Sequence, residues 1–190
     1  RTRLMVGGTH ANLFDRDHLL GASYAIAPDR PGDATQWGAT YRIPIYATGG
    51  AIETHLARSS LRGGLVAEGV RITEPGRYAR IGYRQQLAPR ADYHPFVSID
   101  FEDRHFSGAD GSINVRTRPL TIAYGAHWEE QWLGWKYRFA YAQNVSGGRD
   151  GDDLTYGRNR AGADASFGAL RASADWYRIL TYDWRAIVRA

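Results

Sequence analysis

The chain has 190 residues, 43% of them apolar, and a formal net charge of +4, which is enough material for one sizeable domain. No run of even twelve apolar residues occurs, which excludes a transmembrane helix. Cysteine is absent, which excludes a disulfide framework and thiol chemistry. Arginine and acidic residues are interspersed, with no basic run of the kind that tracks a phosphate backbone, so no nucleic-acid partner is expected.

Arg1-Thr2-Arg3 leads directly into strand-like sequence with no signal-peptide pattern, as expected of a mature or trimmed chain. Leu4–Leu13 reads as a strand, and Phe14–His18 as a tight turn. Leu19–Ala27 alternates Leu20, Ala22, Tyr24 and Ile26 against Gly21, Ser23 and Ala25, and Pro28–Asp33 has the turn chemistry of a loop. In the next segment Trp37, Ala39, Tyr41, Ile43 and Ile45 alternate with Gly38, Thr40, Arg42, Pro44 and Tyr46. Pro44 cannot donate to a ladder and marks a strand end or a bulge. Thr48-Gly49-Gly50 turns into Ala51–Arg58, and a longer glycine-containing connection covers Ser59–Gly76.

Arg77–Leu87 sets Ala79, Ile81 and Tyr83 against Arg80, Gly82, Arg84 and Gln86. After a turn at Ala88–Asp92, Tyr93–Glu102 sets Val97, Ile99 and Phe101 against His94, Ser98, Asp100 and Glu102. Asp103–Ser112 reads as loop. Leu120–Trp128 then alternates, and Glu129–Gln131 turns into the clearest strand of all, Trp132–Val145. There Leu133, Trp135, Tyr137, Phe139 and Tyr141 occupy one parity, and Gly134, Lys136, Arg138, Ala140 and Ala142 the other. Ser146–Gly157 reads as a long loop, and Arg160–Tyr177 as a long strand whose parity slips near Phe167–Leu170, as a bulge would cause. Leu180–Asp183 turns into a last strand, Trp184–Ala190.

About ten strands result, mostly longer than the five or six residues usual in soluble sheets. Their connections alternate between short and long. Short turns at one end and long loops at the other are the pattern of an up-and-down transmembrane β-barrel in a bacterial outer membrane. The expected fold is therefore all-β and antiparallel, with apolar parities facing lipid and charged parities facing a wet lumen. The lipid-facing set is Trp37, Tyr41, Ile43, Ile81, Ile99, Phe101, Ile122, Trp135, Tyr137 and Phe139. The pore-lining set is Arg42, Glu53, His55, Arg80, Arg84, Asp100, Glu102, Lys136, Arg138, Arg171 and Asp175. Both signs occur in it, so cross-strand ion pairs and a hydrated interior are expected, because so many charges in a dry core would be costly. No catalytic arrangement with an identifiable nucleophile occurs, and no enzymatic role or cofactor is expected. Asp150-Gly151-Asp152-Asp153 lacks the spacing of a calcium loop, and His127-Trp128-Glu129-Glu130 fits an interfacial turn better than a metal site.

One stretch resembles a known family. Within Leu4–Leu61, the run G-T-H-A-N-L-F-D-R-D-H-L-L-G-A-S-Y, with its Asn12-Leu13-Phe14-Asp15 turn, is followed by Tyr41-Arg42-Ile43-Pro44-Ile45 and Thr48-Gly49-Gly50. These segments resemble the barrel of two-partner secretion transporters, the haemolysin secretion/activation family. The resemblance implies a sixteen-stranded barrel behind two periplasmic polypeptide-binding (POTRA) domains, with an extracellular loop carrying a Val-Arg-Gly-Tyr-type motif. The 190 residues read as a portion of such a barrel, from near its second strand to its eleventh, without the POTRA domains, the motif or the final strands. The expected function is an outer-membrane pore that secretes an unfolded partner, with lipid bilayer and lipopolysaccharide as its surroundings. An insertase of the same superfamily and a soluble β-barrel binding an apolar ligand are the alternatives.

Overall fold

Period-two segments pair with their sequence neighbours along almost the whole chain. The computed structural model describes residues 2–29, 35–60, 64–67, 70–72, 76–107, 114–181 and 184–190. The strands are β1 (Leu4–Leu13), β2 (His18–Ile26), β3 (Thr35–Ile45), β4 (Gly50–Ser59), β5 (Gly64–Ala67), β6 (Val70–Ile72) and β7 (Gly76–Gln86). They continue with β8 (Tyr93–Ser107), β9 (Asn114–Thr117), β10 (Pro119–Glu129), β11 (Leu133–Asn144), β12 (Gly168–Thr181) and β13 (Trp184–Arg189), with one helix, α1 (Asp153–Asn159). A single antiparallel sheet runs β1-β2-β3-β4-β7-β8-β10-β11-β12-β13, with β9 added to β8 and β5-β6 forming a separate hairpin. The order is that of a meander. Among the described residues β1 pairs only with β2 and β13 only with β12, so the sheet has two open edges. No described helix is long and apolar enough to cross a membrane.

Directly opposed residues share a side of a sheet, so the register fixes the two surfaces. One row runs Leu20, Tyr41, Thr54, Ile81, Phe101, Leu120. The next on that side runs Ile43, Ile52, Tyr83, Ile99, Ile122, Tyr141, Leu170. Large residues of this apolar side are exposed, Ile81 to 54%, Ile122 to 59% and Phe139 to 58%, while Ile43, Ile52 and Tyr83 are half-buried. The other side carries the charged and small residues, and there Gln36, Ser59, Asp100, Thr121, Ala123 and Ala142 are buried. No second layer of the described residues covers it. The burial is what a bent sheet would give, with side chains crowded on its inner side and splayed on its outer one, so the charged side is called concave and the apolar side convex.

Small residues let neighbouring side chains pack close against the strands. A Cβ on Gly125 would come within 2.6 Å of the Phe96 ring and 2.7 Å of the Tyr137 carbonyl. At the β1–β2 turn, Phe14, Asp15 and Asp17 have positive φ, a conformation that Asp tolerates and Phe adopts only at a cost. The Asn12 side chain holds this turn, accepting from the Asp17 N–H at 2.9 Å and donating to Asp15 at 3.3 Å. The Tyr46 hydroxyl reaches Asp17 from the β3–β4 turn.

The connections sort as expected by end, but several hold more structure than their sequence suggests. Asp103–Ser112 is not all loop: β8 continues to Ser107, and β9 pairs with it. Ser59–Gly76 contains the β5-β6 hairpin. Ser146–Gly157 contains the start of α1, and the strand expected from Arg160 begins only at Gly168. The parity slip near Phe167–Leu170 is therefore a strand boundary rather than a bulge. Shifts of register occur instead between His10 and Leu13 and between Ile179 and Thr181. Pro44 stands one residue from the end of β3, without a bulge. Residues 30–33 of the first loop, 108–112 of the third and 182–183 of the last turn lie outside the described residues.

The β11–β12 connection is folded around Asn144. This buried side chain accepts from the Arg118 N–H at 2.6 Å and donates to the Ala165 carbonyl at 2.6 Å. The run Asp150–Asp153 is engaged structurally: Asp150 meets His105 at 3.4 Å, Asp152 caps α1 through the Thr155 N–H, and Asp153 accepts from the Ala165 N–H. Thr155, through its side chain and then its N–H, holds the Asp152 carboxyl below the usual carboxylate range, and Ser166 does the same for Asp164. A depressed folded value makes the contribution complete above the ordinary carboxylate pKa of about 3.9 and removes it as pH falls through the lower folded value. Amide exchange at Thr155 and Ser166 should therefore accelerate selectively below about pH 4. In Asp152→Asn that acid step at Thr155 should disappear.

Candidate functional site

All eleven charged or histidine positions expected to face a lumen lie on the concave side, and all ten expected to face lipid lie on the convex side. The register arranges the concave side in rows. His55, Arg80 and Glu102 form one; Arg42, Glu53, Gly82, Asp100 and Thr121 form the next. Beyond them come Arg84, Ser98, Ala123, Ala140 and Arg171, then Phe96, Gly125, Arg138 and Ser173, then His94, His127, Lys136 and Asp175. Long charged side chains are flanked by Gly, Ala or Ser, which leaves them room to lie across the wall. A Cβ on Gly82 would collide with the Asp100 carboxylate.

Asp100 is the hub, only 3% accessible. Its Oδ1 accepts from Arg80 Nε at 3.0 Å and Nη2 at 2.6 Å, and its Oδ2 accepts from Ser98 Oγ at 3.2 Å. Arg138 Nη2 approaches Oδ2 at 3.8 Å from two strands away. Arg42 pairs with Glu53 directly across β3 and β4 at 3.5 Å, and Glu102 pairs with Arg104. Such contacts between one buried carboxylate and several cations stiffen the wall, since removal of the acceptor would leave desolvated charge behind.

Not every cation is neutralised. Arg84, Lys136 and Arg171 have no ion-pair partner among the described residues. Arg84 instead lies 3.5 Å over the Phe96 ring centroid, a cation–π arrangement, and its buried Nε has no hydrogen-bond partner. A cavity of about 400 Å³ opens between these groups, bounded by Glu53 on β4 and by Arg171 and Asp175 on β12. Its lining is polar and carries one more cation than carboxylate. Among the described residues no group of three or more His, Asp or Glu side chains is placed to hold a metal ion.

Four participants escape the sequence pattern. Phe96 lies on the polar parity, and its only signal is an aromatic residue among charged ones. Arg104 falls in what reads as loop. His94 and His127 stack with ring centroids 4.8 Å apart, which needs the β8–β10 register to foresee. The convex side has a pattern of its own. Tyr93, Trp128, Trp135 and Trp176 cluster toward the short turns, where the Tyr93 hydroxyl bonds those of Tyr124 at 2.7 Å and Tyr137 at 2.6 Å. Tyr24 and Trp37 oppose each other toward the long loops. No protein-family model matches the chain, and no curated protein matches it.

Proposed function

We propose that this chain forms part of the wall of an outer-membrane β-barrel pore through which an unfolded secreted polypeptide passes. One observation carries the reading: large apolar residues such as Ile81, Ile122 and Phe139 stand exposed on one side of the sheet, while the buried polar residues, Asp100 and Thr121 among them, sit with the ions on the other. Water gives a sheet no reason to present its aliphatic rows outward and fold around its ions. A bilayer does, because hydrocarbon takes the apolar side while the enclosed side stays hydrated. Turns sorted to one end and long connections to the other, with Tyr and Trp at both ends of the apolar rows, fit the same surroundings.

The resemblance of Leu4–Leu61 to two-partner secretion transporters supplies the cargo. Arg42, Glu53, Arg80, Arg84, Asp100 and Arg138 would solvate a passing chain without holding it, because most are already engaged with one another. Export would draw its energy from folding of the partner outside, with no nucleotide. The unpaired Arg84, Lys136 and Arg171 predict a preference for anions. In planar bilayers the closed pore that contains this wall should conduct with anion selectivity, and Arg84→Glu/Arg171→Glu should abolish or invert it. Conductance and selectivity unchanged in that variant would remove the pore reading.

A further inference from the structure

The convex side holds one feature that a lipid-facing wall does not require. At the long-loop end of the apolar rows, Trp37, Arg58, Arg77, His105 and Arg116 stand directly opposite one another across five successive strands. They border a cavity of about 610 Å³ that also takes in Arg149, Asp103 and Asp150, with Leu56 and Ala79 as its apolar floor. Four arginines and a histidine thus meet two aspartates. Both acids are already engaged: Asp103 in a forked pair with Arg116, and Asp150 with His105. Arg58 and Arg77 are exposed and have no carboxylate partner among the described residues. Like charges directly opposed across two strands are unfavourable, so the Arg58–Arg77 juxtaposition calls for a counter-anion.

Position identifies which anion. Arg58 follows Leu56 by two residues on β4, and Arg77 precedes Ala79 and Ile81 by two and four on β7, so charge begins about 7 Å beyond the last apolar row. We infer that this row binds the phosphate groups of a membrane glycolipid in the leaflet on the long-loop side, with its acyl chains lying over Leu56, Ala79 and Ile81. Arginine suits the task because its fork matches phosphate oxygens in pairs, and Trp37 stands where interfacial Trp belongs. A free anion would use the cations and leave the apolar floor bare. The inference rests on the membrane reading above.

The test uses the full chain in neutral detergent micelles, with thermal unfolding followed by Trp fluorescence as diphosphorylated lipid A is added. Lipid A should raise the midpoint, while phosphatidylcholine and inorganic phosphate should not. In Arg58→Gln/Arg77→Gln the concentration giving half the effect should rise about tenfold or more, as for loss of charge-assisted contacts; Arg58→Lys/Arg77→Lys should lie between. An equal response in the Gln variant overturns the site. An equal response to inorganic phosphate overturns the lipid as its occupant, and an equal response to phosphatidylcholine reduces it to apolar contact. Insertion into phosphatidylcholine vesicles separates the two readings. A chain that inserts but ignores lipid A loses only this site, whereas a chain that fails to insert loses the membrane reading and the site with it.

Discussion

Ile81→Arg is expected to destabilise the chain in a lipid bilayer by about 2–4 kcal/mol, the cost of an arginine near mid-depth on the outer face of a barrel. Ile81 is at the centre of β7, between Thr54 and Phe101, on the exposed convex side. In a sheet bathed by water the same substitution would fall within about 0.5 kcal/mol of neutral, because an exposed position loses little by becoming charged. The two surroundings thus predict different outcomes at one residue. Urea titration of the chain folded into vesicles, read by Trp fluorescence, measures the difference. A value near zero would take away the hydrocarbon side of the proposal.

Asp100→Ala should be the most damaging change on the concave side, costing about 3–5 kcal/mol. The loss is larger than that of an ordinary ion pair because the carboxylate is buried and serves Arg80, Ser98 and Arg138 at once. Its removal leaves the Arg80 guanidinium desolvated and without its acceptor. Removal of both partners in Arg80→Ala/Asp100→Ala should recover part of the loss, since no orphaned charge then remains. Equal damage in the single and double variants would mean that packing against Gly82, and not charge compensation, sets the value of this carboxylate.

Much of this arrangement was legible before any coordinates. Alternation alone placed Arg84 and Tyr83 on opposite sides, and the same held for Phe139 and Arg138, because period two is a property of the strand and needs no partner. What alternation lacks is register. Ser98, Asp100 and Arg80 are unremarkable singly; that they converge depends on β7 and β8 sliding to bring Arg80 opposite Glu102. Local signals failed where elements were short. Helix α1, at seven residues, is too brief to show an amphipathic period, and the Asp-rich run that caps it reads as loop. β9 owes its extended form to the overhanging end of β8, a cause that lies elsewhere in the chain.

The distribution of charge along the sheet has a further consequence. On the charged side β1 and β2 themselves carry only Met5, Gly7, Thr9, Leu19, Gly21, Ser23 and Ala25, with Arg3, just ahead of β1, tied to Gln36 at 2.8 Å. From Arg42 and Glu53 through Asp175, the remaining wall is dense in ions with an unbalanced positive remainder. A traversing polypeptide would therefore meet a transverse electric field and not a uniform tube. On the proposed pore reading, its acidic stretches would be drawn toward β7–β12 and its neutral ones toward β1 and β2, so that the lining would sort a chain by charge across its width.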